Sequence, residues 1–161
     1  MIEIVDERNI SEAARVHSIA WQESHRAFCT ADFIALHTAE RQQTYIADKI
    51  KNGSRFFLLF DQHGDAEKKS IAVVSVAGSL IEDLYVLPAE QNKGFGSTLL
   101  RYAVSQCTKK PTLWILENNT AAARLYRRFG FVQTGRRNAI TDRLDEIEFA
   151  LEPRQSHGKF L

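Results

Sequence analysis

Residues 79 to 116 constrain the fold of this chain more than any other stretch. SLIEDLYVLP reads as a strand closed by Pro88, and STLLRYAVSQC as a helix with Leu99, Leu100, Ala103, Val104 and Cys107 on one side. PTLWIL then reads as a short buried strand. A strand, a helix and a strand in this order predict parallel neighbours joined by a right-handed crossover. The turn between the first strand and the helix, AEQNKGFGST, carries two glycines one residue apart.

Other elements follow from patterning. IEIV reads as a first strand. NISEAARVHSIAWQESH reads as a helix, capped by Asn9 with Glu12 three residues on, and with Ala13, Val16 and Ala20 on one face. A second helix is expected over roughly 30 to 51, stopped by NGS. RFFLLF and SIAVVSV read as strands around a polar turn, NNTAAARLYRRFG as a helix ending at Gly130, and FVQTG and EIEFALE as the last strands. The order β-α-α-β-β-β-α-β-α-β-β predicts an α+β domain around a mixed, mostly antiparallel central sheet flanked by helices. One domain is expected over residues 1–152, with a frayed tail over 153–161.

Composition narrows the function classes. A net charge of +1 provides no global field for nucleic acid or an acidic membrane. Arg127, Arg128, Arg136 and Arg137 make the chain locally positive but lack the interleaved aromatics of a base-stacking surface. Cys29 and Cys107 form neither a disulfide framework nor metal-ligand spacing. MIEIVDERN lacks the basic flank and apolar stretch of a secretory leader, and FFLLF is far too short to span a membrane. A cytoplasmic protein without metal, membrane or nucleic-acid partner is the expectation.

The glycine turn has chemistry of its own. Free N–H groups and the positive end of the helix dipole converge at the helix start, and glycines let backbone approach an anion there. Lys93 and Arg101 are available to add charge. A dinucleotide fingerprint requires a third glycine where this chain has Leu99, and the P-loop pattern is absent. A phosphate-bearing ligand and a plain structural turn both remain open from the turn alone.

Gln91-Asn92-Lys93-Gly94-Phe95-Gly96 resembles the pyrophosphate-binding pattern Gln/Arg-x-x-Gly-x-Gly/Ala of the GCN5-related N-acetyltransferase (GNAT) family. DLYVLP is similar to that family's central strand and LWILENNTAAARLYRRFGF to its second cofactor segment, with Asn119, Tyr126 and the Gly130-Phe131 pair in the right order. AWQESHRAF and DFIALH resemble its first helices, so the likeness spans nearly the whole chain. One departure is Asn92, where members often carry glycine; asparagine tolerates left-handed backbone, so the loop is expected to keep its shape.

The resemblance implies acetyl-coenzyme A as donor. Its pantetheine arm is expected along Leu84, Tyr85 and Val86, and its pyrophosphate in the cradle Gln91, Asn92, Lys93, Gly94, Phe95, Gly96 and Ser97. Asn119 is implied to contact the cofactor arm, and Tyr126, seven residues on and on the same helical face, to reach its sulfur. A phenol of pKa about 10 can protonate a departing thiolate whose thiol has a pKa of about 8.5, giving Tyr126 the role of general acid. Glu82 is the candidate base, with Asp83 and His25 as competitors; the glutamate of several family members aligns nearer Leu80. Trp21, His25 and Phe28 are expected on the acceptor side.

The implied activity is transfer of an acetyl group to a primary amine of a small molecule or peptide. The alternatives are a longer acyl group, an oxygen acceptor, or a non-catalytic acyl-coenzyme A-binding module. A homodimer is expected by analogy.

Overall fold

The computed structural model describes residues 1–62, 64–65 and 67–153. The expected tail therefore lies, from residue 154 on, outside the described residues.

The run FFLLF is apolar at every position because both of its faces are covered. It lies in strand β2 (Arg55–Asp61), following β1 (Ile2–Ile4), and pairs with β3 (Lys69–Ala77). Phe57 and Leu59 point to one side of the sheet, into a core with Val74, Val76, Leu99, Leu100, Phe131 and Phe149. Phe56, Leu58 and Phe60 point to the other, against Val5, Ala13, Val16 and Ile46. Two helical layers thus sandwich one sheet, which makes strands near its centre read as continuous hydrophobic runs.

The sheet has seven strands in the order β1-β2-β3-β4-β5-β7-β6. β4 (Leu80–Val86) and β5 (Thr112–Leu116) are parallel, and the other described pairings are antiparallel. The crossover between them is α4 (Phe95–Gln106), which packs with α5 (Thr120–Phe129) on one face. α1 (Ile10–His25) and α3 (Ala39–Lys51) cover the other. β6 (Phe131–Thr141) and β7 (Leu144–Leu151) close the chain as a hairpin, with β6 at the sheet edge. The mixed, mostly antiparallel architecture expected from the sequence is the one observed.

Three local expectations change. The helix expected over 30 to 51 is two helices, α2 (Ala31–Ala35) and α3, because Thr38 is extended (ψ 165°) and its hydroxyl caps Arg41 N–H. Asn9 stands at the start of α1 but does not cap it by its side chain. Its Oδ1 accepts from Asp6 N–H and its Nδ2 donates to Ile4 C=O, tying the helix to the end of β1. The strand begun by FVQTG runs on to Thr141, through a bulge where Gly135 is left-handed (φ 92°).

Candidate functional site

β4 and β5 pair only at Leu80–Thr112 and Ile81–Leu113. Beyond that point β5 pairs with β7, while β4 from Glu82 to Val86 keeps β3 on one side and, among the described residues, has no strand on the other. The sheet is therefore split, with an unpaired backbone edge facing the opening.

A bulge lies within that edge. Tyr85 pairs with Val73 and Glu82 with Ser75, so Asp83 and Leu84 together oppose the single residue Val74. Asp83 takes up the excess with a left-handed backbone (φ 53°). In a regular strand, successive side chains point to opposite faces. Here Glu82 and Asp83, adjacent in sequence, both meet α3: Lys49 Nζ contacts Glu82 Oε1 at 3.0 Å, and Tyr45 Oη donates to Asp83 at 3.0 Å. Asp83 also accepts from His17 Nε2 (2.9 Å) and Ser75 Oγ (2.8 Å). Burial works to raise its carboxyl, but the His17 and Ser75 hydrogen bonds and nearby Lys49 hold it below the ordinary carboxylate value. Ile81, Glu82, Asp83, Tyr85, Trp114 and Glu146 line a cleft of about 240 Å³ at the split.

At its C-terminal end β4 leads through a single 3₁₀ turn (Pro88–Glu90) to the glycine loop and α4. Asn92 (φ 62°) and Gly94 (φ 88°) are left-handed, and Gly94 is the N-cap of α4 without a side-chain cap bond. The first helical bond there is Thr98 N–H to Gly94 C=O, which leaves the N–H groups of Phe95, Gly96 and Ser97 without an acceptor inside the helix. Gly96 is packed between Val86 and Leu125, where an added Cβ would lie 3.7 and 3.6 Å from their side chains. Lys93 is bound to Glu90 (3.1 Å), which also takes Lys69 (3.0 Å). Gln91 turns back to donate to Val86 C=O at 3.2 Å. The loop thus presents backbone N–H groups first and charge second.

α5 starts at the same end of the opening. Asn119 is its N-cap, with Oδ1 accepting from Ala122 N–H at 3.1 Å. The side-chain amide keeps its Nδ2 hydrogens for another partner. Tyr126 is 7% exposed and its ring meets Phe131 edge-on. Among the described residues its hydroxyl makes no hydrogen bond, and no fully buried side-chain polar atom lacks a partner, so the hydroxyl touches solvent. Burial raises its pKa above the ordinary tyrosine value. Tyr85 is likewise raised, by burial first, then by the charges of Asp83 and Tyr126.

A family description for an acetyltransferase (GNAT) domain matches residues 52–133, half of the chain. The chain belongs to the GNAT acetyltransferase family. Solved structures share the fold along nearly the whole chain. A GNAT protein from Rhodopseudomonas palustris aligns with a TM-score of 0.70 at 15% identity, covering 95% of each chain. PaiA N-acetyltransferase from Thermoplasma acidophilum, solved with coenzyme A, has a TM-score of 0.63 at 17% identity, over 92% of this chain and 98% of that one. The spermidine N-acetyltransferase SpeG of Vibrio cholerae, as an F149A mutant, has 0.63 at 19%, over 94% of each. A comparison with curated proteins finds no match.

In this GNAT chain the residues expected on the donor side lie on the free edge of β4, the loop into α4 and α5, with Asn119 at the start of that helix and Tyr126 in its last turn. Those expected on the acceptor side are arranged differently. Trp21 is stacked between His25 and His37, with centroids 4.0 and 3.6 Å away and planes within 11° and 13°, so both ring faces are covered. Phe28 is 42% exposed, and Trp21, His25 and Phe28 are not among the residues lining the 240 Å³ cleft. Burial lowers the pKa of His25, aided by His37.

His17, Tyr45 and Ser75, which converge on Asp83, were not singled out from sequence. The available signal was His17 itself, a polar residue in the buried stripe Ala13, Val16, Ala20 of α1. A larger groove of about 640 Å³, lined by Cys107, Lys109 and Arg128 among others, lies at the far ends of α4 and α5; Arg101, expected beside the glycine turn, lines it, and none of the other expected site residues does. Among the described residues no set of three or more His, Cys, Asp or Glu side chains is placed to hold a metal, and no helix is long and apolar enough to cross a membrane.

Proposed function

We propose that this GNAT domain is an acetyl-coenzyme A-dependent N-acetyltransferase acting on a primary amine of a small molecule or peptide. The observation that carries this is the continuity of the donor track: from Glu82 to Val86 the edge of β4 away from β3 has no strand beside it among the described residues, and β4 leads through one 3₁₀ turn to the left-handed N-cap of α4. An unpaired strand edge accepts an extended, amide-bearing arm as an added strand. A helix start with free N–H groups accepts a pyrophosphate. The two features lie in the order in which such a donor presents them.

When bound, acetyl-coenzyme A supplies an acetyl group on a thioester. Leu84, Tyr85 and Val86 would hold the arm by backbone groups, and residues 91 to 97 the phosphates. Lys93 can swing from Glu90 to a phosphate at the cost of a half-exposed ion pair, which is small. Asn119 would donate from Nδ2 while Oδ1 caps α5. Tyr126 is the general acid. Its raised pKa keeps the proton on the phenol at neutral pH, and its hydroxyl has no competing acceptor among the described residues.

The attacking amine must first lose a proton, since a lysine-like ammonium has a pKa of about 10.4. Glu82 is the base we favour. It lines the cleft, and its contact with Lys49 is made through Oε1. Asp83 serves less well, because His17, Ser75 and Tyr45 already donate to it, and against the effect of burial His17, Ser75 and nearby Lys49 hold its pKa down.

Thermal denaturation with ligands tests the donor assignment. A ligand at 100 times its Kd adds about 2.7 kcal/mol of stability. Acetyl-coenzyme A is expected to raise Tm, whereas ATP and NAD leave it unchanged; no shift at saturating acetyl-coenzyme A removes the assignment.

A further inference from the structure

Two non-glycine residues adopt left-handed backbone among the described residues: Asp83 (φ 53°) and Asn92 (φ 62°). They bracket the donor track, one within the free edge of β4 and the other in the loop before α4. Asn92 sits on an exposed loop, where such a conformation meets little resistance. Asp83 sits inside a strand of the central sheet, where a regular extended residue would be the default.

What holds Asp83 there is a clamp from three separate elements. His17 Nε2 of α1 reaches Oδ1 at 2.9 Å, Ser75 Oγ of β3 reaches Oδ2 at 2.8 Å, and Tyr45 Oη of α3 lies 3.0 and 3.2 Å from the two oxygens. The donor on His17 is itself set. Gln42 Nε2 lies 2.9 Å from His17 Nδ1, and an amide NH₂ only donates, so Nδ1 accepts and Nε2 carries the hydrogen. His17, Gln42 and Ser75 are 2%, 4% and 0% exposed, and Tyr85 packs edge-on against His17 at 4.9 Å. Asp83 and Tyr85 line the cleft at the split, whereas His17, Gln42 and Ser75 stand behind them. The contacts all act on the one residue whose backbone makes the bulge.

We infer that Asp83 is a positioning residue: its clamp by His17, Tyr45 and Ser75 fixes the bulge of β4, and thereby the direction of the unpaired backbone edge along which the thioester end of the proposed donor would lie. This rests on the proposed acetyl-coenzyme A reading. The clamp draws the Asp83 side chain to the α1 and α3 face, leaving the edge toward β5 free. Without it, β4 can relax toward a regular strand, which would turn the following backbone groups away from their present directions. Binding through the glycine loop survives such a change, whereas alignment at the reacting carbon does not.

Acetyl-coenzyme A labelled with ¹³C at the acetyl carbonyl separates these effects. The bound carbonyl resonance of the wild-type protein is expected to be displaced from that of the free thioester. Asp83→Gly tolerates φ 53° without strain but removes all the anchors. It is expected to bind with a Kd within about threefold of wild type, while the carbonyl displacement falls by more than about half, since small misplacements are costly at a reacting centre. Asp83→Asn still accepts from His17 and Tyr45, and its amide can donate to Ser75, so it is expected to retain most of the displacement.

An Asp83→Gly protein that binds with the wild-type carbonyl shift overturns the inference. If that variant does not fold, Tyr45→Phe and Ser75→Ala decide: a partial loss of displacement in either supports the clamp, and an unchanged shift in both overturns it. A wild-type protein that fails to bind acetyl-coenzyme A overturns the donor reading and the clamp's role together. Binding with an unchanged shift removes the clamp alone.

Discussion

Tyr126 combines near-complete burial with a hydroxyl that no described residue engages. A buried phenol normally finds a partner, so an unused hydroxyl at the opening is suited to a ligand that arrives later. Replacing Tyr126 with Phe is expected to lower kcat by about 10²-fold or more, the usual contribution of a general acid, with the Kd for acetyl-coenzyme A nearly unchanged. Steady-state thiol release and calorimetry read the two quantities, and equal turnover removes the acid role. Because burial raises the Tyr126 pKa, the alkaline limb due to its ionisation is expected above about pH 10. At this scale the roles of Asn119 and Tyr126 are implied by the family resemblance, and both residues belong to one local element, with Asn119 capping α5 and Tyr126 in its last turn. The sequence did not expose His17 and Tyr45 as partners of Asp83, which lie 66 and 38 residues away along the chain.

Among the elements, the loop into α4 separates two roles of unusual backbone. At Gly94 an added Cβ meets nothing within 4 Å, so the requirement for glycine is the left-handed φ of 88° alone. Gly94→Ala is expected to cost about 1–2 kcal/mol and to weaken acetyl-coenzyme A binding. Asn92→Gly relieves the same kind of conformation while freeing the unfolded chain, and the two effects nearly cancel, so stability is expected to change by less than about 1 kcal/mol. Urea titrations of both variants test this; equal costs would mean that φ is not the deciding factor.

The strands and the crossover helix were legible because their hydrophobic periods are long and strong. The break between α2 and α3 was not, because Leu36, His37 and Thr38 carry no glycine or proline. It is fixed by tertiary bonds: Ser18 Oγ and Gln22 Nε2 of α1 both donate to His37 C=O, at 2.6 and 2.8 Å. The side chain of Asn9 likewise answers to the end of β1 rather than to its own helix.

For the whole molecule, pH is the simplest probe of how the two helical layers are tied to the sheet. Burial sets the pKa of His25 below its unfolded value of about 6.5, so its contribution to stability is complete above that pH and is lost as pH falls through the folded pKa. Asp83 is also depressed, so its contribution holds above about 3.9 and disappears at lower pH still. Acid unfolding is therefore expected in two stages. His25→Asn is expected to flatten the first, below about pH 6.5, and to leave the second. Denaturant titrations across pH check this, and an unaltered first stage would assign it to another group.

By itself, the sequence determined the layered sheet, the parallel β4–β5 crossover and the glycine turn at Gly94 and Gly96 that starts α4. Each is written in local periodicity or in a short motif. Only the tertiary structure decided that β4 separates from β5 after Ile81, that Asp83 bulges, and that Trp21 is enclosed by two imidazoles. Those features depend on side chains from distant segments competing for the same hydrogen bonds and ring faces, and that competition exists only once the layers have closed.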